Sequence, residues 1–360
     1  MRSFVYQGQP SRVVFGAGSL DRVGDEVDRL GVKRALVLST PEQRSGAEDI
    51  ARRLGARAAG VYDRAVMHVP LETAEDARRL AAELGADCCV ALGGGSTIGL
   101  GKAIALVSGL PILAIPTTFA GSEMTPIYGI TEKGQKKTGR DVRVLPKTVI
   151  YDPELTRTLP AKIAGPSGMN AIAHCVEALY AQDANPIASL MAEEGIRTLA
   201  ASLPAVVRDA DDIEARADAL YGAWLAGTCL GQVGMALHHK LCHTLGGSFN
   251  LPHAETHTVV LPHATRFNCD AAPEAMRRAG RALGSGDPAG ALWDLARAVG
   301  APLALKDIGM PADGLERAAR IATENPYYNP RPVRYEDLLA LLEDAYHGVR
   351  PRTETIHAIA

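Results

Sequence analysis

The sequence predicts an α/β N-terminal domain built on a parallel sheet, followed by an all-α C-terminal domain. Three observations carry this. In residues 1–158, apolar runs of four or five residues alternate with helix-spaced segments, the pattern of βαβ units. From residue 159 to residue 360 only helical spacing remains. A chain of 360 residues has room for about two ordinary domains.

Taken in order, Arg12–Phe15, Ala35–Leu38, Ala59–Tyr62, Cys88–Leu92, Ile112–Ile115 and Thr148–Tyr151 read as strands. Helical spacing separates them over Leu20–Leu30, Glu48–Leu54, Leu71–Leu84 and Thr97–Val107. In the second half, helices are expected over Ser167–Ala181, Ala188–Leu203, Ile213–Cys229, Val233–Leu245, Pro273–Leu283, Gly290–Val299, Gly314–Thr323 and Tyr335–His347. Ser167 has the chemistry of an N-cap, Pro204 reads as a helix end, and Gly246-Gly247-Ser248 reads as a helix stop. Gly134–Arg140 reads as a loop.

Composition excludes several classes. Net charge is −3, so no cationic excess calls for nucleic acid or an anionic membrane. The most apolar stretch, Ala103–Pro116, is broken by Ser108, Gly109 and Pro111 and is too short to span a bilayer. The N-terminus lacks an apolar signal core. Six cysteines without C-x-x-C spacing predict reduced thiols in a cytoplasmic protein. Cys242, beside the histidines, is the one placed for a catalytic reading.

A strand running into Gly93-Gly94-Gly95-Ser96 and then a helix has the geometry of a phosphate cradle. It is not a Walker A loop, because Lys102 is followed by Ala103. It is not G-x-G-x-x-G either, because the third glycine is missing. The next strand runs into a second polar turn, Pro116–Glu123. Both turns lie at carboxyl ends of strands, where open α/β sheets bind ligands. Gly94, Gly95, Ser96, Thr117, Thr118 and Ser122 suit a nucleotide diphosphate. The domain is therefore read as Rossmann-like and dinucleotide-binding. After the second strand comes Ser39-Thr40-Pro41, with no acid to select against a 2′-phosphate. Ser39 is a candidate cofactor contact, and both NADH and NADPH are expected to serve.

Four of the ten histidines, His238, His239, His243 and His253, crowd into residues 234–253. His239 and His243 are four apart on one helix, as are Asn170 and His174 on another. Such sets meet around a metal or a reacting group. Asn170 is neutral where a carboxylate would help a cation. The residues alone leave a weak metal site or none.

These features resemble the iron-containing alcohol dehydrogenase superfamily over essentially the whole chain. Its GGGS turn matches Gly93–Ser96, and its TT-x-x-GSE stretch matches Thr117–Glu123. Its four metal-ligand positions fall on Asn170, His174, His239 and His253, with a further active-site histidine at His243. Two departures stand out. Gly99 replaces an Asp that the superfamily often carries, and Asn170 replaces Asp at the first ligand position. Both departures, with the segments GGGSTIGLGKAIAL and HHKLCHTLGGSFNLPHAETH, look like the maleylacetate reductase branch. That branch implies NAD(P)H-dependent reduction of maleylacetate, a dicarboxylate, to 3-oxoadipate, without a required metal, in a homodimer.

Conjugate reduction of such a substrate needs a donor at the ketone oxygen and a proton source, and we expect His243 and His253 as donor and acid, with His174 and His239 positioning substrate or binding its carboxylate. Lys137 falls where the wider family places a lysine near the cofactor. The Asn325–Pro332 loop resembles the family's Asn-Pro-Arg segment, which makes Tyr327, Tyr328 and Arg331 substrate candidates. Lys240 is a further candidate for a carboxylate, although it points about 100° round the helix from His239. Two rival readings stay open: a metal-dependent alcohol or aldehyde dehydrogenase, and a nucleotide-binding sensor without turnover.

Overall fold

The computed structural model describes residue 4 and residues 6–9, 11–132 and 135–352. It has two compact units, Gly8–Leu159 and a second that takes in Pro160–Ala360.

In the first unit the strands are β1 Arg12–Phe15, β2 Ala35–Leu38, β3 Ala58–Tyr62, β4 Cys88–Gly93, β5 Ile112–Pro116, β6 Ile127–Glu132, β7 Gln135–Arg140 and β8 Thr148–Tyr151. The helices are α1 Val23–Arg29, α2 Arg44–Leu54, α3 Leu71–Glu83 and α4 Gly95–Ser108. Six strands form one parallel sheet in the order β1-β8-β5-β4-β2-β3. β2, β4, β5 and β8 are buried throughout, which is why each reads as a continuous apolar run. Val37, Val90, Leu113 and Ile150 pack with Val23, Val27 and Ile50 from α1 and α2.

β6 and β7 form a separate antiparallel hairpin. The sequence reading took part of it for a loop, because QKKTGR is polar throughout and shows no buried face. Gly134 and the side chain of Lys136 lie outside the described residues.

The second unit is helical: α5 Ala161–Tyr180, α6 Pro186–Arg208, α7 Ile213–Gln232, α8 Leu237–Phe249, α9 His253–Asn268, α10 Pro273–Leu283, α11 Pro288–Ala298, α12 Leu315–Glu324 and α13 Tyr335–His347. Four expectations are corrected here. Ser167 is no N-cap; it is buried inside α5, which starts at Ala161 and carries Pro166 within it. Pro204 does not end α6, which continues to Arg208. Gly246 and Gly247 do not stop α8; the stop is Asn250 in the left-handed region at φ 53°. α9 was not expected at all, and it carries Pro262 inside it. An internal proline costs a helix about 3 kcal/mol in isolation. Here each helix is packed along its buried face, and tertiary burial outweighs local propensity. α8, α9, α12 and α13 share one apolar core around Leu241, Leu245, Val260 and Leu342.

No helix among the described residues is long and apolar enough to cross a membrane.

Candidate active site

A candidate cofactor site in the first unit begins where β4 ends. Gly94 is the N-cap of α4, and no side chain caps it. The first N–H groups of a 14-residue helix are thus available to an anion. The three glycines do different jobs. A Cβ on Gly93, at φ 148°, would lie 2.5 Å from Thr97 Oγ1, and one on Gly94 would lie 2.8 Å from Thr118 Cγ2. The chain's own packing requires those two. Around Gly95, by contrast, nothing lies within 4 Å of where a Cβ would be. That open space beside uncapped N–H groups is what a diphosphate needs. Ser96 follows on the first turn of α4.

The second turn is tied to the first. Thr117 N donates to Gly93 O at 3.2 Å, and Thr117 Oγ1 accepts from Gln43 Nε2 at 2.8 Å. Sequence reasoning missed Gln43, which carries no motif signal. Lys102, fully buried on α4, donates to Ser122 O at 2.7 Å, Thr125 Oγ1 at 2.9 Å and Ile127 O at 2.8 Å. Burial pulls its ammonium down to about 7, with Glu123 pulling the other way. Gly99 also has a steric reason: a Cβ there would lie 2.8 Å from Val69 Cγ2.

Two other cofactor candidates sit differently. The hydroxyl of Ser39 is fully buried with no partner among the described residues, while its backbone N–H donates to Tyr62 O at 3.0 Å. Lys137 lies on β7 and is paired with Glu132 across the hairpin. Arg44, near the end of β2, is shared by Glu48 at 2.8 Å and Asp63 at 3.1 Å.

The second unit gathers six imidazoles. α5 supplies Asn170 and His174, α8 supplies His238, His239 and His243, and α9 supplies His253 and His257. The His239 ring centroid is 5.1 Å from His174, 4.9 Å from His257 and 6.0 Å from His243. His253 and His257 rings are 4.1 Å apart. His257 and Glu177 were both missed. The signals were there: His257 lies four residues after His253, and Glu177 three after His174, so each pair shares a helix face.

Glu177 organises the cluster. It is fully buried, and its carboxylate accepts from Ala236 N at 2.8 Å and His238 N at 2.7 Å. It therefore caps the start of α8, which has no cap of its own. Its Oε2 also lies 2.7 Å from His239 Nδ1. Burial pushes the carboxyl up, and His238 and the backbone N–H groups pull it down.

Acceptor-only partners fix two tautomers. His239 Nδ1 must carry the proton it gives to Glu177, which leaves Nε2 as a lone pair. That atom is buried and has no partner among the described residues. His238 Nε2, 2.9 Å from the carbonyl of His257, must carry its proton. His174, His239 and His257 are held well below the usual histidine range, by burial first and by neighbouring imidazoles second. They are neutral near pH 7. With Glu177 ionised, His239 presents a lone pair at Nε2, which suits positioning of a substrate better than binding its carboxylate.

His238, His239 and His257 bring ring nitrogens within 4.8 Å of one another. His238 Nε2 faces His257 O and His239 Nδ1 faces Glu177 Oε2, so any cation there would fall to the opposite ring nitrogens. Cys242 is buried and its thiol is pushed well above the usual range, which removes it as a nucleophile.

His243 and His253 are exposed. His243 Nδ1 lies 3.1 Å from the hydroxyl of Tyr327, and Lys240 Nζ lies 5.8 Å from the Tyr327 ring centroid. Tyr327, not Tyr328, thus joins the histidines. Arg331 is committed elsewhere: it pairs with Asp337 at 3.1 Å and stacks on Phe267 at 4.2 Å.

Comparison with known proteins decides the family. "Iron-containing alcohol dehydrogenase" matches residues 10–153, and "Fe-containing alcohol dehydrogenase family, C-terminal" matches residues 165–346. The chain belongs to the iron-containing alcohol dehydrogenase family. Within that family it is 60% identical to a protein named maleylacetate reductase from Burkholderia cepacia, with 98% of this chain and 100% of that one covered. It is 58% identical to another of that name from Sphingobium indicum, covering 97% and 99%. A crystal structure titled maleylacetate reductase, from Agrobacterium tumefaciens, superposes with a TM-score of 0.95 at 53% identity, covering 98% and 100%. A 1,3-propanediol oxidoreductase structure shares the fold at a TM-score of 0.89 and 27% identity, covering 96% and 100%. Membership makes the chain an NAD(P)H oxidoreductase.

The family name implies iron, and the residues can be tested against it. Asn170 Oδ1, His174 Nδ1 and His239 Nε2 are buried without partners among the described residues. His239 is backed by a carboxylate in the manner of a metal-binding imidazole. These donors fit a divalent transition cation. All three are neutral, so the ion would be held less firmly than by a set containing Asp.

Proposed function

We propose that the chain reduces the carbon–carbon double bond of maleylacetate to 3-oxoadipate with NADH or NADPH. The observation that carries this is identity of 60% and 58%, across whole chains, to proteins of that name. Hydride passes from the nicotinamide to the carbon β to the ketone. The ketone oxygen takes up charge as an enolate, and the α carbon is then protonated. The nicotinamide leaves oxidised, and one proton is consumed.

The residues have the chemistry this requires. His243 and His253 are the exposed imidazoles, suited to hydrogen-bond the enolate oxygen and deliver the proton. Tyr327 holds His243 in place through its hydroxyl. Lys240 supplies a cation beside that pair, meeting a carboxylate on a chain whose net charge is only −3. His174, His239 and Asn170 form the buried wall. These three, with His253, would hold a divalent cation, which would supply a Lewis acid when bound. We further infer that turnover does not require it, because the proton donors and the cation stand on the protein. Dual use of NADH and NADPH, a cytoplasmic compartment and a homodimeric state belong to the same reading.

One assay tests the core of it: oxidation of NADH with maleylacetate, with and without chelator. Equal turnover in both arms is expected. No turnover in either arm overturns the reaction. Loss with chelator and recovery with iron or zinc overturns the metal-free clause and favours a metal-dependent oxidoreductase.

A further inference from the structure

Lys102 is a fully buried charged group that this mechanism does not use. It sits on the second turn of α4, the helix whose start forms the cradle, and is 1% exposed. An ammonium has three N–H donors, and three oxygens stand at hydrogen-bond distance: Ser122 O at 2.7 Å, Thr125 Oγ1 at 2.9 Å and Ile127 O at 2.8 Å. A neutral amine could donate to only two. Ser122 Oγ stands further off at 3.4 Å. The acceptors are all neutral oxygens on one short stretch, residues 122–127, which contains the second cofactor turn.

A second anchor holds the same stretch from the sheet. Glu123 is fully buried, and its Oε1 accepts from Tyr151 Oη at 2.7 Å. Tyr151 ends β8. The carboxylate takes none of the three short bonds of Lys102, but its charge favours the ammonium, so the two anchors support one another.

We propose that Lys102 is a positioning residue for the dinucleotide: its ammonium binds the backbone of residues 122–127 and so fixes the second cofactor turn against the helix that bears the first. This rests on the reading of the two turns as the NAD(P)H site. Burying an ammonium is expensive. Here the cost is offset by charge-assisted bonds to backbone carbonyls, which methionine of similar length cannot form.

The test is NADH affinity, measured by titration of the full chain without substrate, for wild type and Lys102→Met. The dissociation constant is expected to rise by at least about tenfold. The KM for maleylacetate at saturating NADH should stay within about twofold, since the change acts on cofactor binding alone. Unchanged NADH affinity in Lys102→Met overturns the proposal and leaves the reaction standing. Absence of NADH binding by wild type overturns the underlying reading instead. Parallel losses in NADH affinity, substrate KM and thermal midpoint would indicate general damage and also overturn the proposal. If Lys102→Met does not fold, Thr125→Val removes one acceptor at constant shape. A rise of about threefold supports the proposal, and an unchanged affinity overturns it.

Discussion

Glu177 Oε2 lies 2.7 Å from His239 Nδ1, and the same carboxylate receives the backbone N–H groups that open α8. One buried anion therefore fixes both the position of a helix and the tautomer of an imidazole on it. Glu177→Gln keeps the shape but replaces the anion by a weaker, neutral acceptor. It should lower turnover by roughly 10- to 100-fold and stability by about 1–3 kcal/mol. Steady-state kinetics with urea unfolding would check it, and wild-type turnover would show that the tautomer does not matter.

His243→Ala and His253→Ala should each cut kcat by roughly 10²-fold or more. Tyr327→Phe should cost less, because it removes only the hydroxyl that holds His243. If both histidine variants turn over at nearly the wild-type rate, the acid and donor lie elsewhere.

The glycines of the cradle should separate by phenotype. Gly94→Ala places a methyl 2.8 Å from Thr118 Cγ2, so it should lower the thermal midpoint. Gly95→Ala meets nothing in the protein, so it should leave the midpoint alone and raise the KM for NADH. Similar midpoints for the two variants would contradict this division.

Stability should fall in mild acid. Burial pulls His263 from an ordinary value of 6.5 down to about 4. Below pH 6.5 the unfolded chain takes a proton that the folded chain refuses until the pH nears 4. This one group therefore removes stability as pH falls through that window, at roughly 1.4 kcal/mol per pH unit. His238, also near 4, acts in the same direction. Urea midpoints between pH 7 and pH 4 should show a shallower slope for His263→Leu, and identical slopes would exclude the effect.

The sheet was legible because its four inner strands are buried throughout and read as apolar runs. Asn170, His174, His239 and His253 were legible through spacing and family likeness. α9 was hidden because His253–Asn268 carries a proline and a polar start, and packing on α5, α8, α11 and α13 makes it a helix. Glu177 and His257 were hidden for another reason. Nothing local distinguishes them, and their roles exist only once α5, α8 and α9 meet. Tyr327 could not be told from Tyr328 by spacing; the hydrogen bond to His243 separates them.

Val69 occupies the space that a side chain at Gly99 would need. It does so with a left-handed backbone, φ 47°, costly for a β-branched residue. A side chain at position 99 is therefore expected to displace Val69, whose backbone is already held at a cost. Val69→Gly would both relax that backbone and clear the space. Gly99→Asp should lower the thermal midpoint less beside Val69→Gly than it does alone.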